Sequence, residues 1–402
     1  MNKNLKVISL VVFGNALDYY DFMLFAYLGA IITGYFIPDL DPVQSHLLSL
    51  LLFAIPFVIR PVGGYFFGKL SDINGRGYAL GQTLKYASFA SLGIALLPGY
   101  EIGGLVSIVL FILLRALQGL SLGGEYTTAG TVLMEKYNTH RGLLSGIVGA
   151  SGTVGSFLAF SFSWLYLNDY LSGDAWRIAF GIGSAMTYIS YLLRKKLKNE
   201  MVCSVDTKAF RYNISHRKAI LITLFTGILV GVTIWIPVIY ANFYLTKILH
   251  YPYSAGLNAT LIALVGSIVL TPFFGYLSDR YSRPEIVMTV GAVLTIPLCL
   301  LGFPLIQQGN LIGQVFLILA AVIFAAPMHA MVNALFPVEI RGRSINTTFM
   351  LGASVGSLIP VISGYCATNY NIHSLPVGFV VIFGIITSII FYLNFFKKSR
   401  LK

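Results

Sequence analysis

Apolar residues in this chain run in long blocks separated by short polar stretches. A membrane-spanning helix needs roughly 20 mostly apolar residues. That ruler places spans at 8–36, 46–69, 79–98, 104–134, 142–168, 175–193, 218–245, 254–277, 285–305, 312–336, 343–368 and 375–396. The pattern therefore predicts an all-α polytopic membrane protein with twelve transmembrane helices. The blocks are continuous, which excludes the ten-residue alternations of an outer-membrane barrel. One substantial polar stretch, 194–217, divides the spans six and six; with Lys218 beside it, it holds eight Lys and Arg against Glu200 and Asp206. The predicted organisation is a bundle over 1–193, a basic cytoplasmic linker over 194–217 and a second bundle over 218–402. The opening MNKNLKVISLVVFG resembles a leader, but no small-residue cleavage site follows and the apolar run continues through Asp18 and Asp21. It reads as the first span, retained.

Composition sharpens this picture. Apolar residues make up 56% of the 402 and charged residues 10%, against about 25% charged in a soluble protein. A mean hydropathy of +0.79 points the same way. A soluble enzyme, a disordered chain and a disulfide scaffold are excluded. The net charge of +12 sits in short connections, so it reads as a topology signal facing anionic lipid and not as a nucleic-acid surface. Of the 27 Lys and Arg, 22 fall at the termini, in the linker or in even-numbered connections; Arg177 and Lys247 fall on the opposite side; Arg60, Lys85 and Arg115 fall inside spans. That asymmetry predicts both termini in the cytoplasm. Cys203, Cys299 and Cys366 are far apart and show no metal spacing, so no metal or cofactor is expected.

The chain also repeats itself. Residues 66–76 read FFGKLSDINGR and 273–283 read FFGYLSDRYSR, seven identities in eleven at an offset of 207. A weaker echo joins GASGTVGS at 149–156 to GASVGS at 352–357. Two pseudo-symmetric six-helix bundles, related as parallel repeats around a central site, are the architecture of a transporter. In the repeated loop Asp72 sits where a helix ends, Gly75 permits a tight turn and Arg76 supplies a partner charge. Such a carboxylate can cap a neighbouring helix and pair with Arg, making Asp72, Gly75, Arg76, Asp279, Arg280 and Arg283 candidate gating residues. Ordinary solvated loop charges are the alternative reading.

Gly68 to Arg76 resembles the loop motif between spans two and three of the major facilitator superfamily, and Gly275 to Arg283 its second-half copy, with Ser282 where Gly is usual. More narrowly, GNALDYYDF at 14–22, RPVGGYFFG at 60–68 and RALQGLSLGGEY at 115–126 resemble the metabolite:proton symporter family, which includes bacterial proline/betaine, 2-oxoglutarate, citrate and shikimate importers. Members often carry Glu-Trp-Phe-Asp where this chain has Asp18-Tyr19-Tyr20-Asp21. The resemblance implies the major facilitator fold, a bacterial inner-membrane location, a small-molecule substrate and protons as partners, and places Asn15 and Gln118 in the substrate region.

Ionisable residues inside spans are costly and point to function. At 1.5 Å per residue, Asp18, Arg60 and Glu125 share one level, with Asp21 one turn nearer the midplane. The expected network is Asp18, Asp21, Arg60 and Glu125, in which Asp18, Asp21 and Glu125 exchange protons. Arg115, farther along the helix of Glu125, would bind an anionic substrate group through its fork. A static network that only fixes packing is the competing reading. Lys85 is expected to reach the headgroups. Tyr19, Tyr20, Tyr27 and Tyr126 lie near the cluster, and Tyr19, Tyr20 and Tyr126 join Arg60 as substrate candidates. By this reading the second half has no acid buried within a span. It offers Trp235, Tyr240 and Asn242 around Pro237, and His329 and Asn333 between Pro327 and Pro337, where broken helices free backbone carbonyls; a lone His such as His329 is more often structural. Glycines 142, 146, 149, 152 and 155 and the pair Gly352 and Gly356 predict close helix packing.

The reading that follows is a secondary transporter importing a small organic anion or zwitterion with protons by alternating access, working as a monomer in the lipid bilayer. A facilitator, exchanger or exporter of another solute is the alternative, and a non-transporting sensor the third. No nucleophile–base pair, metal cluster or phosphate loop supports an enzyme.

Overall fold

The computed structural model describes residues 3–38, 42–196, 214–281 and 283–396. Most of the linker, Cys203, Ser282 and the basic run 397–402 lie outside the described residues. Among the described residues twelve helices follow one another: α1 (Lys3–Phe36), α2 (Pro42–Asn74), α3 (Arg76–Leu96), α4 (Tyr100–Lys136), α5 (Arg141–Leu167) and α6 (Ala175–Lys196), then α7 (His216–Ile248), α8 (Tyr253–Arg280), α9 (Pro284–Gln307), α10 (Ile312–Asn333), α11 (Val338–Tyr370) and α12 (Leu375–Phe396). No strand occurs among the described residues. Each helix runs close to its apolar block, and many extend past it, because intrahelical hydrogen bonding does not stop where the hydrocarbon does.

Ten of the twelve are long and apolar enough to cross a membrane. α3 and α6 are not, and the reason is their partner. They pack on each other through small polar residues, as where the Ser184 hydroxyl donates to the Ser88 carbonyl at 2.8 Å. A face buried on protein does not need to be apolar enough for lipid.

The chain forms two compact units, Met1–Val132 with Ser151–Cys203, and Leu133–Ala150 with Ser204–Lys402. Each contains a glycine seam. In the first, a Cβ on Gly155 of α5 would lie 1.9 Å from the Ala16 carbonyl of α1. In the second, Gly227 and Gly231 of α7 face Gly352 and Gly356 of α11. The glycine stripe of α5 is therefore not one surface: Gly142 and Gly146 meet α8 within the second unit, and Gly152 and Gly155 meet α1 within the first. Replacing Gly155 by Ala forces α1 and α5 apart and is expected to cost roughly 1–3 kcal/mol. Gly181→Ala, in open space, should cost nothing. Thermal aggregation of detergent-solubilised variants separates the two.

Proline effects appear in α7 and α10. α7 turns π-helical at Ile236–Tyr240 and Tyr244–Ile248, and the Gln314 amide donates to the Pro237 carbonyl and to the Ala259 carbonyl at 3.0 Å. α10 breaks at Pro327.

Candidate functional site: a buried charge cluster in the first unit

The first unit draws α2 and α4 together along glycines. A Cβ on Gly63 would lie 2.0 Å from the Leu120 carbonyl, and one on Gly123 would lie 2.2 Å from the Arg60 carbonyl. Backbone contact at that range lets the side chain of Arg60, 4% exposed, turn inward beside α4. Arg115, fully buried, enters from α4. Its Nη1 donates to Gln118 Oε1 at 2.7 Å, and the Gln118 amide donates to the Ser91 hydroxyl at 3.1 Å. Gln118 thus fixes the direction of the guanidinium.

Aromatic rings do the rest. The Arg60 Cζ lies 4.5 Å from the Phe57 ring centroid and 4.9 Å from that of Phe22. The Arg115 Cζ lies 4.2 Å from Phe25 and 5.5 Å from Phe22. Phe22 serves both cations. Such contacts stabilise a desolvated guanidinium by about 0.5–2 kcal/mol each and leave its edges free for hydrogen bonds. In both arginines Nε and Nη2, which form one side-on edge, have no partner.

The acids of α1 are held as lightly. Asp18, 2% exposed, receives the Ser121 hydroxyl on Oδ1 at 3.4 Å; Asp21, 2% exposed, receives the Thr187 hydroxyl on Oδ2 at 3.5 Å. Asp18 Oδ2 and Asp21 Oδ1 have no partner. Gly183 of α6 makes room for Asp21, since a Cβ there would lie 2.0 Å from its Oδ1. The charges acting on Asp18 are those of Glu125, Asp21, Arg60 and Arg194. Four groups with unspent hydrogen-bonding capacity thus share one bundle interior, an arrangement that can take up a proton, an anion or both.

Glu125 also has a partner that the sequence did not suggest. Its partner is Arg194, the first residue of the expected linker, which is instead a fully buried residue of α6. Arg194 Nη2 donates to Oε1 at 2.8 Å, Nη1 donates to Oε2 at 2.9 Å and the Thr83 hydroxyl donates to Oε2 at 2.6 Å. The remaining Arg194 hydrogen bonds go to the Leu10, Val11 and Leu80 carbonyls. The linker therefore loses one exposed cation. A signal was present: the inward face of α6 runs Trp176, Ala179, Phe180, Gly183, Ser184, Thr187, Ser190 and Arg194, helical spacing that continues into the basic run.

The other first-half candidates lie close by. The Asn15 amide donates to the Ser151 hydroxyl at 2.8 Å. The Tyr19 and Tyr126 rings meet edge to face at 6.0 Å, and the Tyr20 hydroxyl donates to the Ala179 carbonyl at 3.4 Å. In the second unit Trp235 and Tyr240 are buried, with Tyr240 stacked on Tyr244 at 5.7 Å, and the Asn242 amide donates to the Thr260 hydroxyl at 3.0 Å. The His329 backbone N–H donates to the Ser145 hydroxyl at 3.0 Å, and the Asn333 amide donates to the His329 carbonyl at 2.9 Å. The second half is not free of buried acids: Glu285, 4% exposed, lies in the first turn of α9 and accepts from Arg283 at 3.0 Å.

Both copies of the repeated loop hold their aspartate in defined contacts. Arg76 pairs with Asp72 and donates to the Ser71 hydroxyl at 3.1 Å, with Gly75 at φ +91° between the helices. Asp279 caps α5: the Gly142 N–H donates to its Oδ1 at 2.6 Å and the Leu143 N–H to its Oδ2 at 2.8 Å. Arg280 is exposed. Nearby in the same unit Arg341 joins Glu135 at 2.9 Å, a pair the spacing did not suggest.

The family model "Sugar (and other) transporter" matches residues 7–199, and "Major Facilitator Superfamily" matches 223–402. Both halves of the chain are thus similar to transporters, and the second half to the major facilitator superfamily by name. The protein is a multi-pass membrane transporter and not an enzyme. It is 28% identical to the glycine betaine/proline/ectoine/pipecolic acid transporter OusA of Dickeya dadantii, over 95% of this chain and 81% of that one. It is 28% identical to the proline/betaine transporter of Escherichia coli, over 96% and 82%. Solved structures share the fold: the xylose transporter XylE from E. coli, at TM-score 0.70 and 16% identity over 98% of both chains, and the human organic anion transporter MFSD10, at 0.72 and 12% over 97% of this chain and 100% of that one.

Proposed function

We propose that this transporter imports a small zwitterion or organic anion bearing a carboxylate, together with protons, across a bacterial inner membrane with both termini in the cytoplasm. The observation that carries the reading is Arg115. A fully buried guanidinium with an open Nε–Nη2 edge, and no ion pair among the described residues, is a bidentate receptor for a carboxylate. Asp18 and Asp21 are the proton carriers, with Arg60 between the two functions. The relatives named for betaine, proline, ectoine and pipecolic acid handle zwitterions with one carboxylate, which supports the zwitterionic class. Asn15, Tyr19, Tyr20, Gln118 and Tyr126 then surround the site within the first unit, and Trp235, Tyr240, Asn242, His329 and Asn333 are the substrate candidates of the second. Counterflow in proteoliposomes tests the class. Betaine, proline, ectoine, pipecolate and small organic acids should include the best competitors, whereas a neutral sugar competing equally well would sink the assignment.

The repeated loops act as gate latches in the same reading. Asp279→Ala removes two charge-assisted bonds to the start of α5, a cap worth about 0.5–2 kcal/mol. In a background lacking its three cysteines, Ser145→Cys beside this cap should be labelled severalfold faster by a maleimide once Asp279 is replaced. An unchanged rate would show that the cap does not hold α5 shut.

A further inference from the structure

Glu125 has both oxygens committed, and every nitrogen of the Arg194 guanidinium is engaged. Three donors converge on the carboxylate from α6 and α3. Arg194 also binds Leu10 and Val11 carbonyls of α1 and the Leu80 carbonyl of α3. Its guanidinium lies on Gly14, where a Cβ would meet Nη2 at 2.1 Å, one helical turn below Asp18 on the same face. By contrast Asp18, Asp21, Arg60 and Arg115 each keep atoms without partners. A proton placed on Glu125 would cancel the charge that pairs with the buried Arg194; one placed on Asp18 Oδ2 or Asp21 Oδ1 goes to an oxygen with no donor.

We propose that Arg194 and Glu125 are a positioning pair: they neutralise each other and lock α1, α3, α4 and α6 in register, so that Asp18 and Asp21 alone carry the protons of the cycle. The inference rests on the proton-coupled reading above. It makes Glu125, by sequence the third carboxylate of the network, a strut. Besides this pair, the charged and phenolic groups acting on Asp18 are Asp21, Arg60 and its neighbour Tyr19.

The test compares Glu125→Gln, Arg194→Met and the double variant in proteoliposomes, measuring counterflow and pH-driven accumulation separately. Each single variant leaves one buried charge uncompensated and should lose at least about tenfold in counterflow. The double variant should recover counterflow to within about threefold of the parent and keep its pH-driven accumulation, because compensated pairs are replaceable by neutral groups. Restored counterflow without accumulation would overturn the proposal and make Glu125 a proton carrier. A parent that shows counterflow but no pH-driven accumulation would defeat the proton reading itself, leaving single-versus-double counterflow to judge the pair. Should the double variant not assemble, infrared difference spectra of the parent between acid and neutral pH serve instead. Carbon-13 labelling of glutamate should leave the band of the titrating buried carboxyl unmoved, and a shift of that band would overturn the proposal.

Discussion

Asp18→Asn and Asp21→Asn are each expected to abolish uphill uptake while leaving exchange. With one proton per solute and the membrane potential clamped, a pH difference of one unit supplies about 1.4 kcal/mol, or roughly tenfold accumulation. The parent should approach that ratio, and either variant should stay near unity. Asparagine keeps the size of the aspartate and its hydrogen bond to Ser121 or Thr187, so helix packing is retained. It removes only the ability to bind and release a proton, which decouples the solute from the gradient without closing its path. Because Asp18 and Asp21 sit one turn apart on α1, their effects are coupled, and the double variant should be no worse than either single one. If both single variants still accumulated solute tenfold, the proton would be travelling elsewhere.

Arg115→Met is expected to produce the second large effect, on affinity. Removing one side of a buried charge pair costs about 2–5 kcal/mol, so the apparent Kd should rise by roughly 30-fold to several thousand-fold. Arg115→Lys keeps the charge but loses the side-on fork, the Gln118 contact and the plane that lies 4.2 Å from the Phe25 centroid, and should still lose about tenfold or more. Methionine also removes a desolvated charge from the bundle, so the folded protein should be at least as abundant as the parent. That abundance separates a binding defect from a folding defect. A Met variant with unchanged affinity for every carboxylate solute would place the anion site elsewhere.

Much of this was legible in the sequence because a bilayer imposes strong rules. Long apolar blocks had to be helices, the duplicated Phe-Phe-Gly…Ser-Asp segment had to mark equivalent loops, and Asp18, Asp21, Arg60, Arg115 and Glu125 had to face protein. Two things were not legible. Arg194 stands at the head of Arg-Lys-Lys, and a hydropathy ruler ends the span where charge begins; only the inward periodicity of α6 carries it on to a buried partner. Depth groups Glu125 with the other acids, but depth fixes height along a helix and says nothing of Arg194 as a further neighbour. Phe22, Phe25 and Phe57 were hidden differently. In a chain with 29 Phe, nothing local marks the three that stack on guanidinium groups.

Recording solute and lumenal pH together in proteoliposomes tests the coupling most directly. Downhill movement of a carboxylate solute by the parent should acidify the lumen in proportion to the solute taken up, and the Asp18→Asn/Asp21→Asn protein should move solute with no pH change. Solute movement by the parent without acidification, or undiminished acidification by the double variant, would contradict proton carriage by α1.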